Sequence, residues 1–396
     1  MFVPVGSEGK WPVLQAQVHS VERTSDSLDR TIVLVTLLLL SLGIMMVHSA
    51  SSVVSAAKFH DPFFYAKRQL LWALLGIAAM FWLSDFDYHR LRSLAPKIAV
   101  LSFVFLGAVL IPGIGAVRGG SRAWLGIGSF GIQPSEFAKL ALILFLAHLL
   151  TDYGDRMSSF RRGLLPPLLI ALMAVGLIML EPDLGQSVVI MGTAILMLFV
   201  AGARMRHLGM LGGAGLAAFA GLVAAAPYRL DRVTAFLDPW KYPLKEGYQI
   251  IQSLYAIGSG GLLGLGLGNS HQKFLYLPEP QTDFIFSILG EELGFLGALT
   301  VLFLFGVLVW RGFRIALYAT DIFGTLLATG ITSMVAVQVL INIGVVTGSI
   351  PATGITLPLL SYGGSSLTLM LTGIGILLNI SRQAVYPAKI KMNDAK

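Results

Sequence analysis

Asp283, in LPEPQTDFIF, stands where a polar stretch gives way to an apolar run, with Phe284 and Phe286 beside it. A carboxylate at such a boundary loses water, its pKa rises toward neutrality, and it becomes able to accept a proton from a hydroxyl. The same position suits a helix N-cap, because Thr or Asp before an apolar run caps helices well, and the residues alone leave both readings open. Three further groups put charge in or beside apolar runs, where charge is costly and by default marks a functional site. Glu136 and Lys139 in QPSEFAK lie three apart on one helix face, with Pro134 suited to the first turn. They read as a structural ion pair or as part of a polar groove. Glu181 and Asp183 in EPDLGQS join two apolar runs, as a solvated capping turn or as a site. Glu291 and Glu292 in GEELG lie about two turns inside an apolar run, so at least one must face a polar cavity or a partner.

Other chemistries find no support. There is no GxxxxGK[ST], and the run GSGGLLGLGLGNS (258–270) does not satisfy GxGxxG; it reads as a flexible or closely approached loop. The absence of cysteine excludes disulfides, thiolate metal sites and cysteine nucleophiles. The seven His form neither HxH nor HxxxH, which leaves zinc without a motif. Asp85 and Asp87 form a D-x-D of the kind that holds metal and sugar nucleotide, although two acids at a helix exit more commonly cap it.

The elements that must position these residues are membrane spans. Hydrophobic residues make up 55% of the 396 and charged residues 12%, against about 25% charged in a soluble domain. Apolar runs fall near 31–50, 66–84, 95–111, 134–150, 164–180, 184–202, 208–226, 284–310, 322–345 and 359–381. A span needs about 20 residues, so the expected fold is an all-α integral membrane protein of about ten transmembrane helices. With the N-terminus inside, 17 of the 28 Lys and Arg fall in inner segments and 11 in outer ones, which puts both termini in the cytoplasm. The net charge of +7 is then a topology signal plus an outer anion site, not a nucleic-acid surface. Residues 1–29 carry four acids, unlike a signal peptide, and read as a polar cytoplasmic tail; 30–382 is the membrane domain and 383–396 a basic cytoplasmic tail. The outer loop 227–283 between spans seven and eight has 57 residues and an ordered, aromatic character, as functional loops do.

Four segments in the same order resemble the SEDS family of bacterial shape, elongation, division and sporulation proteins. They are RGGSRAWLGIGSFGIQPSEFAKL (118–140), EPDLGQS (181–187), GYQIIQSLYAIGSGGLLGLGLGNSHQKFLYLPEPQTDFIFSILGEELGFLG (247–297) and GSIPATGITLPLLSYGGSS (348–366). The resemblance implies a peptidoglycan glycosyltransferase of the cytoplasmic membrane that polymerises lipid II on the outer face. The essential Asp of the family's TDF motif falls on Asp283, as general base for the acceptor hydroxyl, with undecaprenyl pyrophosphate leaving from the donor. Arg68, Arg122, Lys139 and Lys273 are expected to hold the pyrophosphates. Trp124, Gln252, Glu279, Ser361, Gly363 and Gly364 are expected to contribute to substrate binding, and Glu136, Glu181, Asp183, Glu291 and Glu292 to the cavity. The polar N-terminal extension, MMVHSASSV (45–53) and LPLLSYGGSS look more like the division branch (FtsW type) than the elongation branch (RodA type), with sporulation members near the former. A class B penicillin-binding protein, a transpeptidase, is the implied partner, together with other divisome proteins at the septum.

Two other functions use the same residues differently. A lipid II flippase would employ the basic groups for the headgroup and make Asp283 incidental; a division scaffold would need none of the intramembrane charges. No cofactor is required by the motifs. A divalent cation, Mg²⁺ or Mn²⁺, bridging Asp283 and a pyrophosphate stays open, although no multi-carboxylate cage is visible.

Overall fold

A computed structural model describes residues 28–118, 121–126, 131–224, 234–245 and 247–386. Most of the expected N-terminal tail, Arg229, Arg232 and residues 387–396 lie outside the described residues.

The fold is mostly helical. The first helix, α1 (Arg30–Phe59), is capped by Asp29, whose carboxylate accepts from the amides of Thr31 and Ile32. Then come α2 (Phe64–Asp85), α3 (Tyr88–Leu110), α4 (Pro134–Tyr153), α5 (Leu165–Leu180), α6 (Leu184–Val200) and α7 (Met205–Ala224). A short helix α8 (Tyr248–Ser259) lies in the long loop and is followed by α9 (Ile285–Tyr318), α10 (Ile322–Val346) and α11 (Gly364–Gln383). Seven helices among the described residues, α1, α3, α4, α5 with its lead-in turn, α9, α10 and α11, are long and apolar enough to cross a bilayer. The other expected spans coincide with α2, α6 and α7. Lys67, Arg68 and Gln69 bring charge and polarity into the first two turns of α2, and α6 is apolar but has only 17 residues.

The core explains why so apolar a chain is stable. α4, α10 and α11 are central and largely buried, whereas α3 and α9 turn most of their apolar surface outward. Trp82, Val100, Phe303 and Leu340 are each at least 65% exposed, a surface that suits lipid and not water.

The two ends of the bundle are distinct. At one, Arg311 donates to Asp29 at 2.5 Å, Arg382 pairs with Asp85 at 2.6 Å, Arg92 with Asp152 at 2.7 Å, and Tyr88 donates to Asp321. Asp87 caps α3 through the amide of His89, so the D-x-D pair is spent on a cap and an ion pair. The motif-bearing loops occupy the opposite end.

Two features depart from the all-α expectation and from unbroken spans. Strands β1 (Gly115–Arg118) and β2 (Ser121–Leu125) form an antiparallel hairpin with Arg118 opposite Ser121. The intervening sequence is Gly-Gly, a hairpin signature that the search for helical runs passes over. Second, α9 is broken at Gly294 (φ 68°, ψ −168°), where segment 261–266 docks. Leu265 and Gly266 amides donate to the carbonyls of Glu291 and Glu292, and Phe295 and Leu296 amides donate to those of Gly261 and Leu262. A Cβ on Gly294 would lie 2.3 Å from the Gly264 nitrogen, so the close approach requires glycine as well as its positive φ.

Candidate active site

Asp283 is positioned by its backbone. Asn342 of α10 donates its amide to the Asp283 carbonyl at 2.8 Å and to the Ile355 carbonyl at 2.7 Å. Ser361 donates to the Thr282 carbonyl at 2.6 Å while accepting from the Leu357 amide, and the Tyr362 amide donates to the Gln281 carbonyl at 2.8 Å. Buried Gln69 of α2 donates to the Ser361 carbonyl at 3.0 Å. The TDF segment is thus held from both sides, and the LSYGGSS segment does much of the holding. Gly364 lets α11 start against Trp72, since a Cβ there would lie 2.4 Å from the indole nitrogen; Gly363 accepts no such contact but donates its amide to Gln69 at 3.4 Å.

The carboxylate itself is left unspent. The N-cap of α9 is Phe284 with no side-chain cap, and among the described residues no hydrogen bond reaches the Asp283 carboxyl oxygens. The capping reading of Asp283 does not describe this geometry. The group is partly buried, and burial, then Glu279, then Asp183 push its pKa up to about 7. Gly354, at φ 73°, runs beside it: a Cβ there would stand 3.6 Å from Oδ2.

The EPDLGQS turn packs against this centre. A Cβ on Gly185 would lie 2.6 Å from the Thr353 carbonyl, one residue from Gly354. Asp183 caps α6 through the Gln186 amide at 3.0 Å and accepts from Gln133 at 3.3 Å; burial raises its pKa, and Glu136 adds to the rise. Glu181 is wholly buried, with neither carboxyl oxygen partnered, and burial followed by Asp183 pushes its pKa up to about 8. Ser121, at the start of β2, donates to the Glu181 carbonyl and so ties the hairpin to the turn. Arg122 and Trp124 follow on β2, both partly exposed. Arg68 stands at Phe64 on α2, one residue from Gln69, and Tyr65 beside it lies within electrostatic reach of Glu279 and packs edge-on against Tyr362.

Two expected pyrophosphate ligands are placed otherwise. Lys139 is 3% exposed and pairs with Glu136 at 2.9 Å; Gln186 donates to the same Glu136 at 2.8 Å. Lys273 is 4% exposed, pairs with Glu292 at 3.3 Å and donates to the Gly268 carbonyl. A buried cation needs a close carboxylate, and each lysine has one inside the protein. Glu291 and Glu292 are buried and bonded within the protein. Glu292 accepts from Ser49 at 2.6 Å, while Glu291 accepts from Ser270 at 2.5 Å and from the His271 amide at 2.9 Å, pinning the long loop to α9. Gln252 lies on the partly exposed side of α8, apart from these bonds. Glu279 has a left-handed backbone (φ 49°) and accepts from Gln281 at 3.1 Å. Sequence reasoning missed Gln69, Asn342 and Gly354. Asn342 had a signal, as a lone amide inside the apolar run VLINIGVV.

Among the described residues no three His, Asp or Glu side chains cluster as a metal cage. What the site offers is the Asp283 carboxyl, unbonded and able to hold or release a proton near neutrality, partly shielded between α2, α10 and the loops that precede α6, α9 and α11, with the buried Glu181 carboxyl in the neighbouring turn.

Residues 29–386 match the FtsW/RodA/SpoVE family model, described as "Cell cycle protein". The chain is 58% identical over 358 residues to stage V sporulation protein E of Bacillus subtilis (strain 168), covering 90% of this chain and 98% of that one. It is 42% identical over 359 residues to a probable peptidoglycan glycosyltransferase FtsW of Geobacter sp. (strain M18), covering 91% and 98%. Among solved structures it resembles a chain of a peptidoglycan synthase complex that coordinates polymerization and crosslinking (TM-score 0.74, 34% identity, 90% and 98% covered). It also resembles the rod shape determining protein RodA of Thermus thermophilus (TM-score 0.67, 31% identity, 91% and 99% covered). The match spans nearly the whole chain and includes every motif that meets at Asp283, and the chain belongs to the FtsW/RodA/SpoVE family, the SEDS family of peptidoglycan glycosyltransferases.

Proposed function

We propose that this enzyme polymerises lipid II on the outer face of the cytoplasmic membrane, with Asp283 as general base. The 4-hydroxyl of the acceptor's N-acetylglucosamine attacks the anomeric carbon of the donor's N-acetylmuramic acid. The hydroxyl proton passes to Asp283, the new glycosidic bond forms with inversion, and the anomeric bond to undecaprenyl pyrophosphate breaks. The leaving group needs charge neutralisation rather than a proton. Arg68 and Arg122, on segments tied to the two sides of the Asp283 centre, supply it; Lys139 and Lys273 shape the walls. The observation that carries this reading is the unpartnered Asp283 carboxyl, with its pKa near neutrality, held only through its backbone. A divalent cation, if used, would be held by Asp283 together with pyrophosphate oxygens.

The topology that fits is ten spans with both termini cytoplasmic: α1 to α7, then α9 to α11, with the loop before α9 outside. A class B penicillin-binding protein is the partner, in keeping with the synthase complex among the similar structures. The higher identity to the sporulation protein than to FtsW moves the cellular role toward sporulation-type wall synthesis within the division-like branch, away from elongation. Purified protein given lipid II, with and without that partner, tests the reaction. Glycan strands lost with Asp283→Asn support it; transport across a bilayer without polymer would make the chain a flippase, and neither activity would leave a scaffold.

A further inference from the structure

At the end of the bundle opposite Asp283, the α4–α5 and α6–α7 connections meet around an open concavity of about 500 Å³. Arg161, Arg162, Arg204, Arg206, His207 and Phe160 line it, with two serines. The arginines come from two loops some forty residues apart in sequence. None of the four makes an ion pair among the described residues, whereas Arg92, Arg311 and Arg382 at the same end each hold a carboxylate. The four guanidinium groups are exposed around one hollow, so an anion placed there would be attracted by all of them at once. His207 is 6% exposed, its Nδ1 has no hydrogen-bond partner, and its ring meets the edge of Phe160 at 5.5 Å. The positive-inside rule accounts for basic residues by number alone. It does not require them to converge on a shared hollow beside a buried, unpartnered imidazole.

The apolar surroundings indicate the ligand. Phe160 and Met205 are exposed beside the arginines, and Leu169 and Met173 on α5 and Met210 on α7 are exposed as well, so apolar side chains adjoin the basic hollow on both helices that leave it. A free phosphate would use the arginines and leave these side chains idle. A phosphodiester headgroup with acyl chains would use both, as basic pockets at the ends of spans do. We propose that this concavity binds the headgroup of an anionic phospholipid, the four arginines holding its phosphodiester oxygens and its chains lying along α5 and α7. The site is independent of the reaction assigned to Asp283.

Native mass spectrometry of the full-length protein in detergent, titrated with phosphatidylglycerol or phosphatidylcholine, tests the assignment. The wild type is expected to retain phosphatidylglycerol at least about ten-fold better, and R161Q/R162Q and R204Q/R206Q each to reduce that preference by about ten-fold. R161K/R162K keeps the topology charge but loses the planar fork, so it should weaken retention less than R161Q/R162Q. R90Q/K97Q removes as much charge from the same end outside the concavity and should leave the preference unchanged. Melting temperatures with phosphatidylcholine alone show whether each variant is folded, and the Lys variant serves where a Gln variant is not. Equal losses in R90Q/K97Q, or no preference in the wild type, would overturn the site. Displacement of the lipid by millimolar inorganic phosphate would reassign it to a soluble anion and overturn the lipid reading.

Discussion

The neighbours of Asp283 take hold of its main chain and leave both carboxyl oxygens without a hydrogen bond, as the proposed general base requires. Asn342 grips its carbonyl and Ser361 the carbonyl before it, so a change confined to the side chain leaves the scaffold in place. Asp283→Asn is therefore expected to fold normally and to lower the rate of lipid II polymerisation by about 10² to 10⁴, the usual contribution of a general base; a strand-length assay on gels reads it directly. The pH dependence has a definite sign. The base must be ionised, so the rate should rise as pH passes upward through about 7, to which burial lifts this group. About one molecule in ten would be competent one pH unit lower. Stability runs the other way. The native carboxyl keeps its proton up to about 7 while the unfolded one releases it near 3.8, so the folded state binds more protons in that window and loses stability as pH rises through it. Melting curves at pH 5 and pH 8 should show the wild type falling relative to Asp283→Asn, and parallel curves would show that the group is not buried enough to shift.

Loop and helix must be fitted together before that carboxyl has a place to stand, and α9 is where this happens. Its first turns are separated from the rest by Gly294, and segment 261–266 hydrogen-bonds into the break. Replacing Gly294 with Ala forces a side chain into a left-handed backbone and onto the Gly264 nitrogen, a strain of about 1 to 3 kcal/mol. The expected outcome is a lower melting temperature, with polymerisation lost in step because the TDF segment precedes this helix; an unchanged melting temperature would mean that the loop yields. Such elements also show what the sequence makes legible. The apolar runs predicted helices wherever twenty apolar residues run together, since a backbone in lipid must bond to itself. Asp283, Glu136 and Asp183 stood out because charge beside such runs is costly. The hairpin was less visible because its strands are only four and five residues long beside the apolar runs, and the break in α9 because Gly294 meets Gly264, thirty residues away. The burial of Lys139 and Lys273 was not legible either, although the Glu136–Lys139 pair three residues apart was. A basic residue near an outer loop looks available to a ligand until the fold supplies Glu136 or Glu292, and the pairing of Lys273 with Glu292 spans 19 residues and a chain reversal.

Seen as one object, the molecule has an Asp283 end held by amides, hydroxyls, glycine contacts and two buried lysine–glutamate pairs, and an opposite end held by arginine–aspartate pairs. The central helix α4, with 20 residues, sets a separation of about 30 Å between them. At the arginine–aspartate end Asp29 is 7% exposed, caps α1, and accepts from both Nε and Nη2 of Arg311 on α9, while its amide donates to Ser381 of α11. One residue thus joins the first helix to two of the last three, α9 through its carboxylate and α11 through its amide. Removing the arginine alone leaves that buried charge uncompensated, at a cost of about 3 kcal/mol, whereas removing both charges restores much of the loss. Arg311→Gln should melt several degrees lower than the wild type, and Asp29→Asn with Arg311→Gln should recover most of the difference. Because no group at this end touches the Asp283 centre, polymerisation by Arg311→Gln below its transition should match the wild type. A rate that fell while the protein was still folded would show instead that the two ends are coupled through α9, whose first turns carry the Glu291 and Glu292 latch and whose last turns carry Arg311.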